Sequence, residues 1–180
     1  MSKSKAKSIL IFELFGIVLI VLVGSALHFT FKLSGGNPLV GVFSAVNESV
    51  WEHLKLSFWP ALLYAIIVEY RCLKKKTSNF FFAKAVSIYL MPLIIVSSFY
   101  MYRAFSEENL VLDILIFILA VAIGQLTSYK LMNWKEKSKI CTKTSIIALI
   151  LLASLFIIFT FYPPQLPIFQ DSISRGYGIA

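Results

Sequence analysis

The chain has 180 residues, of which 58% are hydrophobic and 14% are charged, and its mean hydropathy is +0.81. Soluble domains carry about 25% charged residues, so the composition excludes a water-soluble globular domain. The net charge of +8 indicates attraction to anionic lipid rather than to nucleic acid. We therefore expect an all-α integral membrane protein with a single transmembrane domain over residues 1–180, whose partner is the lipid bilayer.

Five apolar stretches are each long enough to cross a bilayer, because a helix rises about 1.5 Å per residue. The predicted transmembrane helices are about 9–31, 48–70, 83–103, 110–131 and 145–162, followed by an outer tail at 163–180. Between the first two, the sequence Gly-Gly-Asn-Pro at 35–38 breaks any helix. The apolar residues 39–43 are too few to cross, so we predict a short re-entrant or interfacial segment there.

The basic residues predict an orientation, since Lys and Arg accumulate on the cytoplasmic side of a membrane protein. Most of the 17 Lys and Arg residues fall on one side of the five predicted helices. They are Lys3, Lys5, Lys7, Arg71, Lys74, Lys75, Lys76, Lys84, Lys130, Lys135, Lys137, Lys139 and Lys143. We predict a multi-pass protein of the cell (cytoplasmic) membrane, with a cytoplasmic N-terminus and an extracytoplasmic C-terminus.

Residues 44–55 concentrate polar side chains at the outer start of the second helix, although such groups are costly in lipid. Two further groups fall on the same side, His28 at the end of the first helix and Asp171 in the tail. The pattern predicts an outward-facing polar pocket. The candidate catalytic residues are His53, Glu48 and Glu52. The candidate ligand-binding or metal-binding residues are His28, His53, Glu48 and Asp171.

Three kinds of chemistry remain open for this pocket. Imidazole and carboxylate groups together are suited to Zn²⁺, Mn²⁺ or Fe²⁺, so a divalent metal ion is the candidate cofactor. Alternatively, His53 oriented by Glu52 or Asp171 acts as a general acid–base on a lipid headgroup or another envelope ligand. Buried carboxylates are also suited to proton or ion coupling.

A purely structural reading of the same residues also stands. Ser49 and Glu52 have the spacing of a capping box, in which the serine caps the helix and Glu52 reaches back to the serine N–H. Asn47 is an alternative cap, and Glu52 has the spacing to pair with Lys55. In this reading the chain is a non-enzymatic transport, sensing or partner subunit, and the polar cluster only shapes the second helix.

Other polar residues within the helices and the tail carry more local predictions. Glu13 is expected to reach the membrane surface, to pair with Lys130 or Lys84, or to belong to a proton path, and Glu69 is expected to pair with Arg71 or a lysine. The apolar residues of the tail are expected to fold back across the outer end of the bundle, which would place Asp171 beside the pocket.

The motif Asn-Glu-Ser-x-Trp-Glu-His-x-Lys at 47–55, together with His-Phe-Thr at 28–30, resembles a family of small bacterial multi-pass membrane proteins of unknown function. The ending at 161–171 and Tyr-Gly-Ile at 177–179 is similar to that family as well. The resemblance implies an integral membrane protein of the envelope. It supplies no activity, so the enzymatic and the structural readings both remain open.

Overall fold

The structure is a computed structural model that describes residues 3–77, 79–134, 138, 140 and 142–179. Within these residues, five helices are long and apolar enough to cross a membrane. They are α1 (Lys3–Leu33), α3 (Val50–Leu73), α4 (Phe80–Arg103), α5 (Leu110–Asn133) and α6 (Thr142–Phe161). The short helix α2 (Pro38–Gly41) precedes α3, and a 3₁₀ turn (Pro167–Phe169) follows α6. The predicted all-α fold with five such helices is confirmed.

The core of the bundle includes Ile20 of α1 together with side chains of α3, α4, α5 and α6 that are almost fully buried. They include Phe58, Ile88, Met91, Val121 and Phe156. Large apolar side chains are also exposed along the length of α1, α5 and α6, such as Leu22 and Leu119. A continuous exposed apolar surface of this kind is what a helix facing lipid requires, because hydrocarbon solvates it well.

Helix α3 begins at a well-defined cap. Ser49 has an extended backbone (φ −80°, ψ 151°), and its hydroxyl accepts a hydrogen bond from the Glu52 N–H at 3.4 Å. The helix continues through Pro60 and becomes a π-helix over Ala65–Glu69 before ending at Leu73. Glu48 therefore lies before the helix, and its side chain does not follow the helical periodicity of the residues after Ser49.

The segment between α1 and α3 contains one short helical turn. Asn37 caps it, because its side-chain oxygen accepts a hydrogen bond from the Leu39 N–H at 2.9 Å. The side chain of Leu39 is 77% exposed, whereas Gly41 is buried. The basic loop at 135–139, which contributes to the predicted orientation, falls mostly outside the described residues.

Candidate functional site

Helices α1 and α3 cross closely at a glycine. A Cβ atom at Gly24 would lie 2.4 Å from the carbonyl oxygen of Leu56 and 2.8 Å from Cζ of Phe117. Both distances are shorter than any side chain tolerates, so this crossing requires glycine. His28 is one turn after Gly24, and His53 is one turn before Leu56. The crossing therefore brings the two imidazole rings together, with 5.1 Å between their centroids.

The loop before α3 is fastened to the end of α1 by Ser44, which is fully buried. Its hydroxyl accepts a hydrogen bond from the Phe31 N–H at 3.0 Å and donates one to the carbonyl oxygen of Leu27. The loop consequently runs beside the histidine end of α1. This attachment brings Glu48 to His28, although the two residues belong to different parts of the chain.

His28, Glu48 and His53 form a cluster that we call the His–Glu cluster. One ligand atom from each residue lies within 4.8 Å of the other two, a separation at which the described residues could hold a metal ion. Oε2 of Glu48 is 3.3 Å from Nε2 of His53, and Oε1 of Glu48 is 3.8 Å from Nε2 of His28. The three side chains are 28%, 42% and 35% exposed, in chain order. A ligand in solution can therefore reach the cluster.

The imidazole of His53 is held in one orientation by the first turn of α3. Its Nδ1 lies 2.8 Å from the carbonyl oxygen of Ser49. A carbonyl oxygen can only accept, so Nδ1 carries a hydrogen, and Nε2 faces Glu48, to which it donates a hydrogen bond when the ring is doubly protonated. Histidines that bind metals are usually oriented in this way by a hydrogen bond on the other ring nitrogen. Nδ1 of His28, by contrast, is buried and has no hydrogen-bond partner among the described residues.

The C-terminal tail folds back against the start of α3. Phe169 is buried, and its ring centroid lies 4.8 Å from that of Trp51. The side-chain amide of Asn47 donates a hydrogen bond to the carbonyl oxygen of Gly178 at 2.9 Å. The tail is thus anchored by one aromatic contact and one polar contact, and it passes beside the His–Glu cluster.

Asp171 of the tail contacts the backbone of the cluster. Its Oδ1 accepts hydrogen bonds from the N–H groups of Glu48 and Ile173, each at 3.2 Å, and its Oδ2 accepts from the N–H and hydroxyl of Ser174. Partial burial raises the pKa of Asp171, but these hydrogen bonds outweigh it and leave the pKa below its ordinary value of 3.8. Because both oxygens already accept hydrogen bonds, this carboxylate fixes the loop in place.

The ionisation of Glu48 is set by its histidine neighbours. A hydrogen bond from His53 lowers the pKa of the Glu48 carboxyl, and the charges of His53 and His28 act in the same direction. Burial and the negative charge of Asp171 oppose this change, but the pKa remains below its ordinary value of 4.5. Glu48 is therefore ionised at neutral pH, as a metal-binding or ion-pairing carboxylate must be.

Glu52 belongs to a separate, fully buried network. Its carboxylate lies 2.5 Å from Nζ of Lys55 and accepts hydrogen bonds from the N–H of Val46 at 3.0 Å and the hydroxyl of Thr160 at 3.1 Å. Nζ of Lys55 also donates to the carbonyl oxygen of Gly41 at 2.7 Å and to the Thr160 hydroxyl at 2.8 Å. The pairing of Glu52 with Lys55 is confirmed. The network joins α3 to α6 and to the loop.

The capping box expected at the start of α3 forms only in part. Ser49 is the cap, as expected. The predicted hydrogen bond from the Ser49 N–H to the Glu52 carboxylate does not form. Glu52 accepts from the N–H of Val46 instead, and the Ser49 N–H donates to Oδ1 of Asn47 at 3.0 Å. The Glu52 carboxylate pairs with Lys55 instead, and Asn47 becomes the acceptor for the Ser49 N–H.

The sequence did not predict two contacts that build this region, the attachment of Ser44 to α1 and the link that Thr160 makes to α6. Ser44 and Thr160 are small hydroxyl residues with no distinctive spacing. The sequence feature that could have identified Thr160 is its position as a polar residue within the apolar run of α6. Such a residue usually hydrogen-bonds to another helix.

The fold and the site together define a class: an all-α protein with helices suited to a membrane, which joins two histidines and a carboxylate across two helices and a loop. The chain belongs to DUF6512, a family of unknown function, whose sequence model matches residues 1–179. This match confirms the resemblance to a family without an assigned activity, and the five apolar helices are consistent with a membrane protein. No curated protein and no solved structure matches the chain.

Proposed function

We propose that this chain is a protein of the bacterial cell membrane that binds a divalent metal ion, with Zn²⁺ as the best match, through His28, Glu48 and His53. The observation that carries the proposal is the approach of three ligand atoms from α1, the loop and α3 to within 4.8 Å of one another. The orientation of His53 by the Ser49 carbonyl supports it.

The distances between the ligand atoms are close to those that a zinc ion imposes. With zinc–ligand distances of about 2.0 Å, ligand atoms of a tetrahedral site lie about 3.3 Å apart. The pair formed by His53 and Glu48 is already at 3.3 Å, and the pair formed by His28 and Glu48 is at 3.8 Å. The two contacts use different oxygens of Glu48, and one ligand atom from each residue lies within 4.8 Å of the others, so the side chains would rotate toward one another to bind one ion.

Three protein ligands would leave a fourth position for water or a ligand from solution. A zinc ion with such an open position lowers the pKa of bound water and polarises carbonyl or phosphoryl oxygens. The partial exposure of all three side chains supports a site of this open type. The proposed ligand or substrate is accordingly a small polar group at the membrane surface, such as a lipid headgroup or another envelope component.

We place the His–Glu cluster at the extracytoplasmic surface. The support is the bias of basic residues toward the opposite ends of the five helices, which assigns a cytoplasmic N-terminus and an extracytoplasmic C-terminus. Glu52 has no ligand role in this proposal, because its carboxylate is buried and satisfied by three neighbours. Asp171 is a positioning residue, since it touches the backbone of Glu48.

The test is metal binding by the whole chain, purified in detergent, stripped with chelator and titrated with Zn²⁺ and Co²⁺. Wild type should bind one ion per chain, with the visible absorption of four-coordinate cobalt. His53→Ala and Glu48→Gln should lose at least tenfold in affinity, whereas Glu107→Gln should bind as wild type does. Glu107 is the matched control, because it is an exposed acid in another loop.

The alternative is a non-enzymatic membrane subunit in which the His–Glu cluster and the tail only stabilise the start of α3. The hydrogen bonds of Asn47 and Asp171 to their partners favour it, since they serve packing without any ligand. In this case wild type would bind no more ion than His53→Ala does, and His53→Ala would only lower the melting temperature. That result would overturn the metal proposal.

A further inference from the structure

A second polar cluster lies in the bundle, far from the His–Glu cluster. It consists of Glu13 of α1, Glu69 of the π-helical part of α3, and Lys84 of α4, and we call it the two-acid cluster. Glu13 precedes His28 by 15 residues on the same helix, which is about 22 Å along the helix axis. Glu13 and Glu69 are 0% exposed, and Lys84 is 2% exposed.

One lysine serves both carboxylates. Nζ of Lys84 lies 2.8 and 2.9 Å from the two oxygens of Glu13, and 2.6 Å from Oε2 of Glu69. Sequence alone predicted a basic partner for each acid, and both predictions are confirmed, but the partner is shared. If both acids were ionised, the cluster would carry one uncompensated negative charge.

Such a charge is very unfavourable at this depth. The cost of burying an unpaired carboxylate is so large that the group normally binds a proton instead. Among the described residues, Lys84 supplies the positive charge that acts on Glu69, and Glu13 adds a second negative one. Tyr64, on the same helix as Glu69, donates its hydroxyl to the carbonyl oxygen of Phe12, and Ser128 donates to Glu13. Lys84 is the basic residue among the described groups in contact with either acid.

The hydrogen bonds distinguish the two acids. Glu13 accepts from Lys84 on both oxygens and from the Ser128 hydroxyl at 2.8 Å, so its ionised form is well supported. Neither oxygen of Glu69 receives an aligned hydrogen bond from the residues that the structure describes, although one is close to Lys84. Glu69 is thus the acid whose ionised form is least stabilised.

The backbone at Glu69 is also unusual. The π-helix over Ala65–Glu69 ends at this residue, and π-helical turns within α-helices frequently mark functional positions. One turn from the cluster, Oγ of Ser87 and Nε2 of Gln125 are buried without a hydrogen-bond partner among the described residues. A helix under packing forces alone would not be expected to accumulate unsatisfied polar atoms here.

From these observations we infer that Glu69 is a buried proton-binding site. The two-acid cluster binds one proton, which the carboxyl group of Glu69 carries. In the resting protein Glu13 and Lys84 form the ion pair, and the Glu69 carboxyl is neutral. Loss of the proton leaves the cluster with one negative charge, which a second proton or another cation must compensate. This site is independent of the proposed metal site.

The experiment is infrared spectroscopy of the purified chain in a detergent without ester groups, at neutral pH in H₂O and D₂O. A protonated carboxyl has a carbonyl stretch that is well separated from the amide bands and shifts in D₂O. Wild type should show one such band. Glu69→Gln and Glu13→Gln should each lose it, because either change leaves one acid paired with one lysine. Glu107→Gln, which alters an exposed acid, should retain it.

Two conservative variants locate the proton. Glu69→Asp should shift the band, whereas Glu13→Asp should leave it in place, because only the protonated acid contributes to it. Lys84→Met should increase the band, since both acids must then be neutral. The absence of a protonated carboxyl in wild type, or a band that persists in Glu69→Gln, would overturn the inference. Wild type alone gives the first of these results, so the test does not depend on the folding of any variant.

Discussion

The buried pair of Glu52 and Lys55 gives a quantitative test of the site assignment, through the substitution Lys55→Met. The side chain of methionine has a similar length, but it removes the positive charge and the hydrogen bonds to Gly41 and Thr160. Glu52 would then be a buried carboxylate with only Val46 and Thr160 as donors. Breaking one partner of a buried ion pair costs about 3–5 kcal/mol.

The double variant Glu52→Gln/Lys55→Met should recover much of that loss. It removes both charges, and the glutamine oxygen can still accept from the Val46 N–H. The remaining cost is the unpaired carbonyl oxygen of Gly41, which is about 1–3 kcal/mol. We therefore expect the double variant to be more stable than Lys55→Met alone, although it differs from wild type at two buried positions.

The assay is reversible unfolding of the purified chain in mixed micelles, followed by circular dichroism. A change of 1 kcal/mol shifts the melting temperature of a protein of this size by roughly 2–4 °C, so Lys55→Met should melt roughly 6–20 °C below wild type. Lys143→Met, at an exposed lysine, is the matched control and should change little. A loss of less than about 1 kcal/mol, or a double variant no more stable than Lys55→Met, would refute the structural assignment of Glu52.

Two further predictions follow from the contacts around the His–Glu cluster. Gly24→Ala should destabilise the chain by about 1–3 kcal/mol, because its Cβ would meet the Leu56 carbonyl. Ser25→Thr adds the same methyl group at an exposed neighbouring position and should be near neutral in the same unfolding assay. Asp171 has a lowered pKa. The stabilisation from the hydrogen bond that its carboxylate accepts from the Glu48 N–H is therefore fully present above pH 3.8 and is lost as the pH falls below that value. Asp171→Asn should imitate the acid state at neutral pH and increase hydrogen exchange in the tail; unchanged exchange would contradict this role.

Much of the candidate site was accessible from the sequence because its residues lie close together in the chain. The Ser49 cap and the pairing of Glu52 with Lys55 depend on spacings of three residues, which helical geometry fixes. His28 ends the first predicted helix and His53 lies at the start of the second, so the helix count alone predicts that both lie at the same end of the bundle. The predicted second helix began at about Glu48, whereas the extended backbone at Ser49 leaves Glu48 before the helix.

The lengths of the apolar stretches in the sequence determined that the chain is all-α and has five helices suited to a membrane. Twenty or so apolar residues in a row have few alternatives, since their backbone hydrogen bonds must be satisfied within the segment. The partners of the buried charges were decided by the tertiary structure. The close crossing at Gly24 and the sharing of Lys84 by two acids depend on which helix faces which. Those contacts join residues far apart in the chain, and no local spacing encodes them.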